Sequence, residues 1–110
     1  MERNKLGSAY GNRCIGVVRP GGKVEVLVDE SYYLRGGIRS EELGALMVHE
    51  IAELTSAEED GHVRGVKAEY RWILDKFGIE RLQNYHTRLC NLMGGDTSIR
   101  KAVLNELLRE

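Results

Sequence analysis

The sequence predicts an α+β fold, a short N-terminal β-hairpin or small antiparallel sheet followed by about four helices. Two β-branched runs flank a Pro-Gly-Gly turn near the N-terminus. Beyond residue 40, four stretches carry apolar residues at helical spacing, each set off by capping residues or glycine. The chain has 110 residues, 42% hydrophobic and 30% charged, with a single proline. That is enough for one core and too little for two, so a single domain is expected to span 1–110.

The runs Cys14-Ile15-Gly16-Val17-Val18-Arg19 and Lys23-Val24-Glu25-Val26-Leu27-Val28 are the predicted strands. Between them Pro20 fixes one φ, while Gly21 and Gly22 free the next two. Val24, Val26 and Val28 alternate with Lys23, Glu25 and Leu27, the period of a strand with one better-buried face. The segment Asp29–Gly37 has aromatic residues and paired glycines without either period, which predicts a loop after an initial strand extension. Ser40, followed by Glu41 and Glu42, is an N-cap with acids that complement the helix dipole, so a first helix covers 41–54. Ser56-Ala57-Glu58-Glu59 fits a capping box, with Asp60 as a competing cap, and the second helix runs to Phe77, where Gly78 stops it. A third helix, 80–93, aligns Leu82, Tyr85, Leu89, Leu92 and Met93 and ends at Gly94-Gly95. Asp96, Thr97 and Ser98 offer caps for a fourth, 98–109, with a stripe of Ile99, Val103, Leu104, Leu107 and Leu108.

Several function classes fall away at this level. No apolar stretch approaches the roughly 20 residues that span a bilayer. Met1–Lys5 leads into Gly-Ser-Ala-Tyr-Gly and not into the apolar run of a secretion signal, so a cytoplasmic protein is expected. In that compartment Cys14 and Cys90, far apart and without a CxxC pair, read as thiols. No run of five or more basic residues is present, which argues against nucleic acid. The net charge of −1 hides a skewed distribution: +3 over 1–40, −6 over 41–70 and +2 over 71–110. The acidic middle is either a solvated helix face or a place for a cation.

That middle segment carries the candidate chemistry. On a wheel of roughly 100° per residue with Leu43 at zero, Met47, Leu54, Leu46 and Ile51 form the predicted core face. Glu50 falls within it, and His49 and Glu53 line its edge. An ionised carboxylate in an apolar stripe neutralises or acquires a cation. On the second helix His62 and Glu69 lie seven residues apart and project from nearly the same side. Gly65 between them would leave room for a bound group. Two antiparallel helices would thus bring His49, Glu50 and Glu53 toward His62 and Glu69, a set of imidazoles and carboxylates suited to zinc.

Val48-His49-Glu50-Ile51-Ala52-Glu53 on a helix, followed by a second helix with His62 and Glu69, resembles the zincin-type metallopeptidases, whose defining element is HExxH. The resemblance covers roughly residues 43–72 and suits the preceding hairpin. It extends to small phage and bacterial zincin-like proteins in which HExxE is followed by an H-x6-E pair. It implies that His49 is a metal ligand and Glu50 the general base that activates a metal-bound water. The departure is Glu53, an oxygen ligand where the family has its second histidine.

The expected function is therefore a minimal zinc-dependent, peptidase-like hydrolase. His49, Glu53 and His62 bind zinc, Glu69 is a further or alternative ligand, and Glu50 is the base. A peptide or protein would be the substrate, aligned along Val24–Val28 by strand pairing. The competing expectation is a non-catalytic interaction module on a degenerate zincin-like scaffold, with or without structural metal, whose C-terminal helix packs in cis or forms a homodimer. In the bland reading of the site, Glu50 and Glu53 pair with Arg64, Lys67 or Arg71, and His62 is a cap. His86, near Leu82, Leu89 and Met93, is expected in the core.

Overall fold

The computed structural model describes residues 14–55 and 60–110. Strands β1 (Cys14–Val18) and β2 (Val24–Val28) pair antiparallel, with Cys14 opposite Val28 and Val18 opposite Val24. The connection is a β-turn closed by the Gly22 N–H donating to the Arg19 carbonyl at 3.1 Å. Pro20 supplies its first bend, and Gly21 takes the positive φ (87°) that the turn needs next. All five β2 residues are half-buried, so the expected contrast between faces does not develop on this two-stranded sheet.

The segment expected as a loop contains a short helix, α1 (Glu30–Arg35). Asp29 starts it by accepting the Tyr32 N–H, and acid in the first turn and Arg35 in the last suit the helix dipole. Its Tyr33 is buried in the core, and that tertiary anchor compensates for a run too short to show a period. A 3-10 turn, Ser40–Glu42, leads directly into α2 (Leu43–Thr55).

Three further helices complete the fold: α3 (Gly61–Phe77), α4 (Ile79–Met93) and α5 (Ser98–Leu108). The predicted capping box at 56–59 lies outside the described residues. Asp60 is the N-cap of α3 by position, but its carboxylate makes no capping bond and instead faces Arg64 at 3.6 Å. Ahead of α5, Asp96 accepts the Ser98 N–H at 2.9 Å. The chain is thus α+β as expected, a hairpin followed by helices. No helix among the described residues is long and apolar enough to cross a membrane.

The core lies between α2, α3, α4 and α5, with Ala45, Leu46, Val66, Tyr70, Ile73, Leu82, Tyr85, Leu89, Val103 and Leu107 buried. Val103 and Leu107 place the deeper part of the C-terminal stripe within the chain itself. The face of α2 differs from the expected one. Ala45, Leu46 and His49 point inward, whereas Met47, Ile51 and Leu54 are 43%, 46% and 38% exposed. The helix is rolled toward its polar edge because α3 presents a glycine and a carboxylate there.

Candidate metal centre

His49 lies at the meeting of α2 and α3, 5% exposed. Gly65 makes that position available: a Cβ on it would stand 2.7 Å from His49 Cδ2 and 3.0 Å from the His49 carbonyl oxygen. The space that glycine opens is therefore filled by the His49 ring itself, not by a ligand between His62 and Glu69. The expected phase of α3 holds, since His62, Gly65 and Glu69 all meet this one imidazole.

Glu69 is fully buried, and both its oxygens are engaged. Oε1 accepts from His49 Nδ1 at 2.7 Å, while Oε2 accepts from the Tyr85 hydroxyl at 2.6 Å and Arg100 Nη1 at 3.0 Å. Burial pushes its carboxyl up, but the Arg100 charge and the His49 bond outweigh this, and Glu69 ends below its ordinary value. It is an ionised group that only accepts, so Nδ1 of His49 carries the proton and Nε2 faces the other way. Glu69 accordingly stands behind His49, on Nδ1, and is not gathered with the ligand atoms of His49, Glu53 and His62. A carboxylate that orients a histidine through its far nitrogen is the usual support of a histidine ligand.

Nε2 points to Glu53, one turn further along α2, at 2.9 Å from Oε1. His62, in the first turn of α3 and half exposed, brings Nδ1 to 3.8 Å from the same oxygen. The ligand atoms of His49, Glu53 and His62 all lie within 4.8 Å of one another. Donors around one tetrahedral zinc at about 2.0–2.1 Å stand about 3.3 Å apart, so this set needs shifts of only a few tenths of an ångström to over an ångström. With both ring nitrogens on carboxylates, His49 is drawn toward its doubly protonated form. Burial lowers its pKa, but the Glu69 hydrogen bond and charge raise it further. Nε2 would have to give up that proton to ligate a cation. His62 moves the opposite way through burial and the neighbouring His49 charge, which keeps it a neutral donor.

Glu50 lies off the ligand group, packed against Gly16 of β1. Burial pushes its pKa up and the Glu53 and Glu69 charges add to this, exceeding the pull of His49. The strand residue next to Glu50 is thus Gly16 of β1. The basic residues offered as alternative partners are turned elsewhere: Arg64 to Asp60, Lys67 to Glu106 and Arg71 to Glu110. His86 Nδ1 shares a 2.6 Å hydrogen bond with the Tyr70 hydroxyl and stays outside the group.

Tyr85 and Arg100 are the functional neighbours that the sequence reading missed. Arg100 is in phase with the buried Val103 and Leu107, and Tyr85 with Leu82 and Leu89. A charge on a buried stripe was the available signal for Arg100. Among the described residues no buried side-chain nitrogen or oxygen lacks a hydrogen-bond partner, so this polar network is fully satisfied. Comparison with protein-family models, with curated proteins and with solved structures finds no match for this chain.

Proposed function

We propose that His49, Glu53 and His62 bind a divalent transition metal, zinc by the chemistry of the donors, and that the protein is a minimal zincin-like hydrolase of peptide-like substrates. The convergence of these three donors around a histidine already oriented from behind by Glu69 carries the reading. Two imidazoles and one carboxylate hold zinc with a position left for water or substrate, and the same set suits ferrous iron. Zinc in such a setting acidifies its water and polarises a carbonyl.

The chain's own residues supply the rest. Glu53 contributes charge and Glu69 fixes the His49 ring. Glu50, with a raised pKa and a place next to the group, takes the proton from the attacking water and passes it to the leaving amine. Its place against Gly16 puts the base beside β1, which makes β1 the strand suited to align an extended substrate.

The test is metal analysis of protein purified without chelator or affinity-metal column, followed by a peptidase screen. About one equivalent of zinc is expected in wild type and in Glu50→Gln, and none in His49→Ala. Hydrolysis is expected in wild type alone. Wild type that stays metal-free after zinc is supplied overturns the reading, and turnover retained by Glu50→Gln overturns the role of the base. A metal-free result favours the interaction module, whose surface would be the exposed Met47, Ile51 and Leu54 of α2.

A further inference from the structure

A recess of about 100 Å³ opens where the end of α4 meets the start of α5, walled by Cys90, Met93, Thr97, Ile99 and Arg100, with His62 of α3 at its side. Two residues join it to the metal group. His62 belongs to both. Arg100 donates to Glu69, which in turn holds His49.

The walls define what fits. Met93 and Ile99 are among the large apolar side chains that the fold leaves exposed, and both meet at this one recess. The charges around it are already engaged: Arg100 with Glu69, and the carboxylate of Asp96 with the Ser98 N–H. Burial pushes the Cys90 thiol up, so it presents a neutral, weakly polar surface. Sites for whole drug-sized ligands run to about 300–1,000 Å³, so this space takes a single substituent.

We propose that the recess is a specificity subsite for one small, uncharged aliphatic side chain of a substrate whose reacting carbonyl lies at His49, Glu53 and His62. This rests on the metal-hydrolase reading above. A group held against Met93 and Ile99 lies next to His62, close enough to belong to the same molecule as the carbonyl. Selectivity then comes from burial of aliphatic carbon, with charged side chains disfavoured because they would be desolvated without a free counter-charge.

Simple hydroxamates separate the two claims, because the hydroxamate chelates the metal while its substituent probes the recess. With zinc-loaded protein, calorimetry is expected to show isovalerohydroxamate binding about tenfold more tightly than acetohydroxamate, the effect of burying about two of its three additional carbons. The monohydroxamate of succinic acid, of similar length but anionic, is expected to show no such gain. Ile99→Trp, which fills the recess, should bring the isovaleryl advantage below twofold. Met93→Ala, which removes a wall, gives the same loss if the first variant fails to fold. Equal binding of the aceto and isovaleryl compounds to wild type, or an advantage that survives both variants, overturns the subsite and leaves the metal reading standing. Failure of acetohydroxamate itself to bind removes the metal reading and the subsite together.

Discussion

His49 is held at both ring nitrogens, and the two partners have different tasks. Glu53 shares the Nε2 side with His62, the side proposed to chelate a cation, while Glu69 takes Nδ1 and is itself fixed by Tyr85 and Arg100. Glu69→Gln separates orientation from ligation, because the amide oxygen still accepts the Nδ1 proton but no longer balances Arg100. Metal affinity is expected to fall about 10–100-fold, as for other supports behind a ligand histidine. Stability is expected to drop by about 3 kcal/mol, since the Arg100 guanidinium is left buried beside a neutral group. Chelator competition and urea unfolding measure the two effects. Complete loss of metal in a folded Glu69→Gln protein would instead put Glu69 among the ligands.

Helices α2 and α3 approach closely by exchanging side chains across glycines. Gly65 of α3 receives His49, and Gly44 of α2 receives Trp72, whose ring would stand 2.7 Å from an added Cβ. Alanine at either point overpacks the contact, at about 1–3 kcal/mol each in urea unfolding. Only Gly65→Ala displaces a proposed metal donor, so on that proposal it alone is expected to weaken zinc binding, by more than tenfold. An equal loss of metal in Gly44→Ala would mean that helix separation, rather than the His49 ring position, sets the affinity. The pair also shows which parts of the fold were legible in the sequence. The hairpin, the helix order and the shared face of His62, Gly65 and Glu69 follow from turn chemistry and from period, which are local. The roll of α2 was not legible, because apolar Met47, Ile51 and Leu54 outvote His49 on any wheel. What reverses that vote is the buried Glu69 on another helix, held by Tyr85 and Arg100 on two more. Helix α1 escaped for a related reason: six residues show no period, and Tyr33 is fixed by the core it joins.

At the scale of the whole molecule, a second buried carboxylate joins the first half of the chain to the second. Glu42, at the end of the 3-10 turn and wholly buried, accepts the Arg39 N–H and two nearly parallel bonds from Arg88 of α4 at 2.7 and 2.8 Å, with Arg81 at 3.3 Å. Arg88 also donates to the Gly37 carbonyl, so one guanidinium clamps the approach to α2 against α4. Burial pushes the Glu42 carboxyl up, but Arg88, the Arg39 amide and Arg81 together pull it below its ordinary value of 4.5. A carboxylate lowered on folding contributes stability above its unfolded pKa and loses it as the pH falls through the folded one. The clamp is therefore complete at neutral pH; its contribution declines once the pH drops below the ordinary carboxylate value and is lost as the pH falls through the lower folded one, where Glu42 protonates and Arg88 keeps its charge. Glu42→Gln is expected to cost about 2 kcal/mol at pH 7, the scale of a charged hydrogen-bond pair, and much less at pH 3. Urea unfolding of both proteins across that range should show the two stability curves converging in acid. A difference that stays constant from pH 7 to pH 3 would mean that shape and hydrogen bonding at Glu42, not its charge, hold the two halves together.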